Sequence, residues 1–398
     1  MSSPHSFAAH WAGEFDEAAL RQFATTTRAQ LLAPRVSLGL VFLTTKLFPH
    51  AQEILEILQV HAQVPLLAGC SSKSLIIGDS ELEDDGGLVL QLFALPGAEL
   101  KAVRFTQEDL QCAEAEDDFW LTHTGVTPAA TNGWLTFADP FHLDTEGWLR
   151  SWSAAYVDKP VLGGLASGEF SEQLTQIYLN GEVFEDGGVA ISVGGEVALA
   201  GVISQGCSPI GEAWTLTKVE HNFIHQIGNR PAYKVLEETF NALSPAEQNK
   251  SKGNLFVGLA MNEYVEDFHR GDFLIRNLLG ADPQTGIVAV GALPRIGQTI
   301  QFHRRDAAAA NEDMVALLAH AKQQLGDREI YGGCLCSCNG RGQNLFGKPH
   351  HDANLVQKSL GPLSIAGFFC NGEIGPVGAK NFIHGFTASL ALFVKKSA

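Results

Sequence analysis

Apolar positions in the first seventy residues switch between helical spacing and short continuous runs. From Glu14 to Leu32 they recur at helical intervals, which predicts an amphipathic helix that Pro34 ends. The apolar run from Val36 to Leu43 then indicates a buried strand, and the spacing from Pro49 to Leu58 predicts a second helix. A further apolar run begins at Val64. The predicted order is therefore a helix followed by a β-α-β unit.

This β-α-β pattern occurs three times along the chain. In each copy a proline introduces an apolar strand that contains a glycine, and further strands follow. The separations from a residue of the first strand to that glycine are 27, 27 and 30 residues, for Phe42 to Gly69, Phe137 to Gly164 and Ser337 to Gly367. Such repetition indicates duplicated building blocks. The pattern predicts an α/β protein of two lobes, built from repeated β-α-β plus β-hairpin units, with mixed sheets partly covered by helices.

Length and charge narrow the classes of protein to consider. A chain of 398 residues exceeds one hydrophobic core and fits two or three domains. The polar stretch from Ser244 to Gly253 is expected to be an exposed loop and the boundary between lobes. Acidic residues outnumber basic ones by 44 to 27, and the resulting net charge of -17 disfavours nucleic acid and anionic membranes as partners. Because neither a membrane-spanning apolar run nor a signal-peptide pattern is found, a cytoplasmic protein is predicted.

Seven cysteines are an odd number, and three of them alternate within one strand-like segment, which favours reduced thiols. These three are Cys334, Cys336 and Cys338, and their alternation places the sulfurs on one face of the strand. Together with His350 and His351 they would suit zinc or copper(I). The spacing is not that of a structural zinc knuckle, however, and core packing is favoured. No metal and no cofactor are predicted.

Two glycine-containing turns form the candidate ligand site. They are Cys338-Asn-Gly-Arg-Gly342 and Gly367-Phe-Phe-Cys-Asn-Gly-Glu-Ile-Gly-Pro376, and both follow apolar strands, whose carboxyl ends bind ligands in β-α units. Arg341 offers a planar fork for a carboxylate and Glu373 an acceptor for an ammonium, so the two would hold a zwitterion. Alternatively, Arg341 and Glu373 pair with each other. With Cys207 in the Gly and Pro turn Gly206–Gly211, the candidate ligand-binding residues are Cys207, Cys338, Asn339, Arg341, Gly342, Asn371, Gly372 and Glu373.

Two further features are assigned structural roles. If the repeats superpose, Ser71, Ser167 and Asn371 occupy related positions, where side chains hydrogen-bond the backbone of their own turns. The acidic run from Glu81 to Asp85 is expected to be a solvated loop.

Five short motifs follow one another along the chain in a fixed order: Leu66-Leu-Ala-Gly-Cys-Ser-Ser72, Val161-Leu-Gly-Gly-Leu-Ala-Ser-Gly168, Ser204-Gln-Gly-Cys-Ser-Pro-Ile-Gly211, Cys338-Asn-Gly-Arg-Gly342 and Ala366-Gly-Phe-Phe-Cys-Asn-Gly-Glu-Ile-Gly-Pro376. In this order the sequence resembles the FIST family. The resemblance implies a FIST N-terminal domain over 35–228 and a FIST C-terminal domain over 229–398, and the helical spacing assigns residues 1–34 to an N-terminal helix. The resemblance also implies a sensory module that binds small ligands such as amino acids. In other proteins this module is attached to signalling outputs or to an F-box.

The chain differs from those fusions. About 35 residues precede the first predicted strand, too few for an F-box, and no kinase, methyl-accepting or cyclase segment follows residue 398. We therefore expect a free-standing, intracellular sensory protein for an amino acid or similar small polar metabolite, which signals through a partner and is a binding protein rather than an enzyme. The alternatives are a thiol-dependent enzyme that uses Cys207 or Cys338, and a non-catalytic interaction scaffold.

Overall fold

The computed structural model describes residues 5–83, 86–168, 171, 173–264, 268 and 271–397. Up to residue 205 the elements are β1 (Ser6–Trp11), α1 (Glu17–Gln30), β2 (Leu38–Thr44), a 3-10 helix (Thr45–His50), α2 (Ala51–His61), β3 (Leu67–Ser72), β4 (Leu75–Ile77), β5 (Ser80–Leu82), β6 (Leu88–Phe93), β7 (Ala98–Phe105), α3 (Gln107–Ala115), α4 (Phe119–Thr124), β8 (Gly133–Ala138), α5 (Thr145–Ala155), β9 (Val161–Leu165), β10 (Ile177–Leu179), β11 (Glu182–Phe184), β12 (Gly188–Gly195) and β13 (Val197–Gln205). From residue 207 to 305 they are β14 (Cys207–Glu220), β15 (Phe223–Ile227), β16 (Arg230–Pro231), α6 (Ala232–Asn241), α7 (Pro245–Ser251), β17 (Leu255–Ala260), β18 (Phe273–Asp282), β19 (Ile287–Val290) and β20 (Thr299–Arg305). The last elements are α8 (Ala307–Leu325), β21 (Ile330–Cys338), α9 (Gly342–Phe346), α10 (His351–Leu360), β22 (Ile365–Cys370), β23 (Gly372–Val377), β24 (Lys380–His384) and β25 (Thr387–Lys395).

The chain folds into two compact units. The first contains Met1–Ile203, Met314–Ile383 and Thr387–Ala398, and the second contains Ser204–Asp313 and His384–Phe386. Segments from both ends of the chain thus build the first unit. The sequence-based border between residues 228 and 229 falls in the turn that joins β15 to β16, inside the second unit. The domain boundaries proposed from the sequence stay predictions.

Three six-stranded sheets form the first unit, one for each β-α-β repeat. In each sheet the two parallel strands of a repeat are neighbours, as β2 with β3, β8 with β9 and β21 with β22. The hairpin of each repeat extends the sheet of another repeat: β4 pairs with β22, β10 pairs with β3, and β23 pairs with β9. This exchange of hairpins makes the three repeats one cooperative unit, because each sheet contains strands of two of them.

The core of the first unit lies between and around these sheets. Three phenylalanines, one from each sheet, meet on the inner faces, with ring centroids 5.4 Å apart for Phe42 and Phe137, 4.8 Å for Phe42 and Phe368, and 5.8 Å for Phe137 and Phe368. The outer faces pack against α1 and α2, against α3 to α5, and against α10 with the part of α8 from Met314 onward. Burial on both faces explains why the strands of the repeats are nearly continuous apolar runs. The predicted fold class is confirmed.

Strand register corrects the alignment of the repeats. The equivalent glycines are those that lie opposite the middle of the first strand, in the pairs Gly69 with Val41, Gly163 with Thr136 and Gly367 with Leu335. Gly163, and not Gly164, therefore corresponds to Gly69, so the equal spacing of 27 residues compared glycines that are not equivalent. By the same register, Ser167 and Asn371 correspond to Lys73 and not to Ser71. The expectation that these serines bond their own turns is wrong, because each bonds the backbone of another repeat: Ser71 Oγ donates to the carbonyl of Ser167 at 2.8 Å, and Ser167 Oγ donates to the carbonyl of Phe369.

The N-terminal helix is shorter than predicted and follows a strand. Helix α1 spans Glu17–Gln30, and Asp16 caps it by accepting a hydrogen bond from the amide of Ala19. Strand β1, which pairs antiparallel with β6, lies within the region expected to be helical. Among the helices of the described residues, none combines the length and the apolar character that a membrane span requires.

The second unit is a seven-stranded sheet in the order β14-β20-β17-β18-β19-β15-β16, and β14 also pairs with β15, so the sheet closes on itself. Two expectations for this region are wrong. The segment Gly206–Gly211 is not a turn, because β14 begins at Cys207. The stretch from Ser244 to Gly253 is not a loop, because Pro245–Ser251 forms α7. Its start is a capping box, in which Ser244 and Glu247 bond each other's backbone amides, followed by a proline in the first turn.

Candidate functional site

Two parallel strands end side by side at the predicted site. Strand β21 ends at Cys338 and β22 at Cys370, and these cysteines are register partners. Asn339 donates from its backbone to the carbonyl of Cys370 at 3.0 Å and from Nδ2 to Asn371 Oδ1 at 2.9 Å. Asn371 is exposed, and Cys338 and Asn339 are half-buried. The two glycine turns therefore meet at adjacent strand ends, and we call the asparagine pair Asn339 and Asn371 the rim of the site.

Arg341 is fully buried and bonded to Asp352 of α10. Its Nε lies 2.6 Å from Oδ2 of the aspartate and its Nη2 lies 2.9 Å from Oδ1. Burial alone would lower the pKa of Arg341 and raise that of Asp352, but each charge favours the other, so the pKa of Arg341 is raised and that of Asp352 is held well below its usual value. Asp352 thus occupies the fork that the sequence assigned to a ligand carboxylate. The carboxyl of Glu373 is also close enough to interact electrostatically with Arg341.

Several neighbours fix the orientation of this ion pair. Ser337 Oγ donates to Asp352 Oδ2 at 3.2 Å, and His351 Nδ1 lies 3.0 Å from Oδ1 of the same carboxylate. The ring of Phe346 stacks on His351, with centroids 3.4 Å apart, and the guanidinium carbon of Arg341 lies 5.3 Å from the centre of the Phe346 ring. Because both oxygens of Asp352 have several partners, the pair is held as part of a network.

The start of α10 is capped by Glu81, which comes from the hairpin of the first repeat. One carboxyl oxygen, Oε1, accepts from the amides of Asp352 at 2.8 Å and Ala353 at 3.0 Å, and the other accepts from the amide of His351 at 3.2 Å. Burial and the nearby charge of Asp352 raise the pKa of Glu81 to about 7, against the lowering effect of these hydrogen bonds. Glu81 is 3% exposed, so the solvated loop expected there is wrong for this residue. Asp84 and Asp85 of the same acidic run lie outside the described residues.

The missing side chain of Gly342 leaves room for the carboxylate of Glu83, which follows β5. Its φ of +61° lies in the left-handed region, and a Cβ at this position would be 2.7 Å from the carboxylate of Glu83. Glu83 in turn accepts from the amide of Gln343 at 2.8 Å. Glycine at position 342 thus serves the backbone conformation and this close contact.

Glu373 is a fully buried carboxyl group surrounded by thiols and one amide. Cys370 Sγ donates to its Oε1 at 3.1 Å, the amide of Thr387 donates to its Oε2 at 3.0 Å, and Cys338 also hydrogen-bonds to it. Burial raises the pKa of Glu373 to about 8, although the hydrogen bonds and Arg341 oppose the shift. The preceding Gly372 allows β23 to approach β9, since a Cβ there would be 2.9 Å from Leu165 Cδ1. The site therefore holds a carboxyl group that titrates near neutral pH.

Replacing Glu373 by glutamine should flatten the pH dependence of stability around neutrality. The group titrates at about 8 when folded and near 4.5 when unfolded, so its contribution is full below about pH 4.5 and is lost as the pH rises through about 8. The loss amounts to roughly 1.4 kcal/mol per pH unit. We expect Glu373→Gln to remove about 2 kcal/mol of the decline between about pH 6 and about pH 7.5, measured by chemical denaturation. Glu53→Gln, on an exposed face of α2, is the control, and an unchanged slope in Glu373→Gln would contradict the assignment.

Cys207 belongs to the second unit. It is the first residue of β14, where it pairs with Arg305 of β20, and it is 2% exposed and packed in an apolar cluster with Phe256 and Phe273. Seven of the eight predicted residues thus lie together in the first unit. The eighth, Cys207, belongs to the second unit. No group of three or more histidine, cysteine or acidic residues with metal-binding geometry is found in the described parts of the chain.

The sequence did not reveal Asp352, His351 or Glu81 as members of the site. The signal that was available for Asp352 is its place in the first turn of a helix that lies between the two glycine turns in the sequence. An acidic residue at a helix start is ordinarily explained by the helix dipole, and this gives no reason to expect a buried arginine as its partner. Glu81 carries no local signal, because it arrives from another repeat through the exchanged hairpin.

Comparison with known proteins finds relatives that match nearly the whole chain. The chain is 32% identical over 376 residues to "Uncharacterized protein Rv0628c" of Mycobacterium tuberculosis, which covers 94% of this chain and 96% of that protein. It is 32% identical over 371 residues to "Uncharacterized protein Mb0898c" of Mycobacterium bovis, which covers 93% and 94%. A solved structure described as "Cyanuric acid hydrolase: evolutionary innovation by structural concatenation" aligns over 98% of both chains with 8% identity and a TM-score of 0.39.

Family profiles cover most of the sequence. The profile of the FIST N domain matches residues 37–230, and that of the FIST C domain matches residues 232–376. Together with the mycobacterial relatives, these matches extend over both compact units and over the strand ends at Cys338 and Cys370. The chain therefore belongs to the FIST family.

Proposed function

We propose that this protein is an intracellular sensor that binds an amino acid or a similar small polar metabolite at the ends of β21 and β22. The observation that carries the proposal is that the guanidinium of Arg341 and the ionisable carboxyl of Glu373 are close enough to interact and lie next to the strand ends that carry the polar rim. Polar amides and an ionisable carboxyl at the carboxyl ends of parallel strands suit a zwitterion. FIST domains are associated with sensory ligand binding, which supports the same conclusion.

The rim would make the first contacts with the ligand. The side-chain amides of Asn339 and Asn371 bond each other at 2.9 Å, and both can re-pair with the polar atoms of a small molecule. Because Asp352 occupies the fork of Arg341, the rim amides would donate to the ligand carboxylate, and Glu373 would pair with the ammonium as it ionises. An ammonium beside Glu373 favours the charged carboxylate, so binding should release a proton at neutral pH.

A thermal-shift screen of amino acids and related carboxylates tests the proposal. A ligand at about 100 times its dissociation constant stabilises the folded state by roughly 2.7 kcal/mol, which should raise the Tm by several degrees. Asn371→Ala should reduce the shift at equal ligand concentration. Asn249→Ala, an exposed asparagine on α7, is the matched control and should leave the shift unchanged.

Two results would overturn the assignment: no stabilisation by any amino acid or carboxylate, or a shift that Asn371→Ala leaves intact. Calorimetry in buffers of different ionisation enthalpy then measures the proton released by the ligand. The output of such a sensor would pass to a protein partner, and co-purification that depends on the ligand would identify it.

A further inference from the structure

Cys338 and Cys370 are neighbours in a way that permits a disulfide bond. They are register partners at the ends of the parallel strands β21 and β22, so both side chains leave the sheet on the same face. Neighbouring strands lie about 4.8 Å apart, within the range of about 4.4 to 6.8 Å between Cα atoms that a disulfide spans. The chain beyond Cys338 is a glycine-containing turn, which can take up a small displacement.

The two thiols differ in their exposure. Cys338 is half-buried next to the exposed Asn371, whereas Cys370 is fully buried. Four other cysteines are also buried: Cys70, Cys334 and Cys336 in the first unit and Cys207 in the second. Of the two partners, only Cys338 can therefore meet a molecule from solution.

Both thiols contact the same proton acceptor. Cys370 Sγ lies 3.1 Å from Glu373 Oε1, and Cys338 hydrogen-bonds to the same carboxyl group. The amide of Gly340 donates to Cys338 Sγ at 3.5 Å, and the guanidinium of Arg341 is close enough to interact with this sulfur electrostatically. A positive charge and an amide donor stabilise a thiolate.

We propose that Cys338 and Cys370 form a dithiol couple that exchanges with low-molecular-weight disulfides, with Cys338 as the attacking sulfur, Cys370 as the resolving sulfur and Glu373 as the group that accepts their protons. This activity goes beyond ligand binding and does not depend on it.

The reaction proceeds in two exchanges. The step starts from the ionised form of Glu373, which accepts the proton of Cys338. The thiolate then attacks one sulfur of the disulfide RSSR, a mixed disulfide forms, and the expelled RS⁻ takes up that proton from Glu373. Cys370 then gives its proton to Glu373 and attacks Cys338 Sγ, which forms the Cys338–Cys370 bond and releases the second RS⁻, again as the protonated thiol. Overall, two thiols are oxidised by two electrons and RSSR is reduced to two RSH.

The titration of Glu373 supports this role. Burial raises its pKa to about 8, which makes its carboxylate a stronger base than an exposed glutamate and suits it to accept a proton from a thiol. Burial and the neighbouring Glu373 raise the pKa of Cys370 well above the usual value. Cys370 therefore stays protonated until a mixed disulfide forms beside it.

Oxidised glutathione is the probe for the test. The full chain is incubated with it near neutral pH, quenched, denatured and alkylated with iodoacetamide, and the free thiols are counted by mass spectrometry. We expect two of the seven thiols to disappear and a peptide linking Cys338 to Cys370 to be found. Cys112→Ser, which removes the exposed cysteine, is the matched control and should give the same link.

Three variants separate the steps. Cys338→Ser should abolish the reaction at this site, and Cys370→Ser should stop it with one glutathione on Cys338. Glu373→Gln should slow formation of the link at least about tenfold at neutral pH. The proposal is overturned if the wild-type protein keeps both thiols free, if glutathione attaches only to Cys112, or if Glu373→Gln reacts at the wild-type rate. A failed amino-acid screen would leave these results untouched.

Discussion

Replacing Gly367 by alanine should destabilise the first unit by more than about 4 kcal/mol, beyond the range of ordinary point substitutions. Gly367 lies on β22 opposite Leu335 of β21, and a Cβ there would be 1.9 Å from the carbonyl oxygen of Leu335. The obstacle is backbone, so the contact is relieved only if the two strands separate and their hydrogen bonds are lost. Chemical denaturation of the two proteins measures the loss.

The same substitution can be made at two equivalent glycines and at one control position. At the equivalent Gly69 and Gly163, a Cβ would be 1.7 Å and 1.9 Å from the carbonyl oxygens of the opposite strands, so Gly69→Ala and Gly163→Ala should cost similar amounts. Gly280, on β18, has nothing within 4 Å of a built Cβ, and Gly280→Ala should change stability by less than about 1 kcal/mol. A small effect at all three repeat positions would mean that the strands separate easily.

These glycines also show how far the sequence could predict the fold. Three β-α-β units were recognisable because each is local, with a strand, a helix and a second strand in close succession. The exchange of hairpins could not be recognised. The partner strand of β4 lies almost 300 residues away in the sequence, and nothing in a three-residue strand specifies that partner. The register error between Gly163 and Gly164 has a similar cause: adjacent glycines are indistinguishable until the opposite strand is known.

The sequence predicted the part of the candidate site that depends on local features and missed the part that depends on distant contacts. Strand ends and glycine turns are local, and they placed Cys338, Asn339 and Asn371 together. The partners of the buried charges are not local. Asp352 begins a helix, where it looks like an exposed capping charge, and Glu81 lies in an acidic run that looks solvated. Sequence patterns report local charge, whereas burial of a charge depends on tertiary packing.

The ion pair of Arg341 and Asp352 should be strongly coupled. Removing one partner of a buried pair leaves an uncompensated charge and typically costs about 3–5 kcal/mol, so Arg341→Met and Asp352→Asn should each destabilise by about this amount. The double variant leaves neither charge unpaired and should cost at least about 2 kcal/mol less than the sum of the single losses. Chemical denaturation of the four proteins at neutral pH gives the coupling energy.

The pH dependence of the same pair supplies an independent check. Because Arg341 holds the pKa of Asp352 below its unfolded value near 3.8, the stability that Asp352 contributes is present above that pH and is lost only as the pH falls toward the lower folded value. Asp352→Asn should therefore lose less stability than the wild type when the pH is lowered from about 5 to about 3. Strictly additive losses, together with parallel acid titrations of the two proteins, would mean that the pair is not the electrostatic centre of the site.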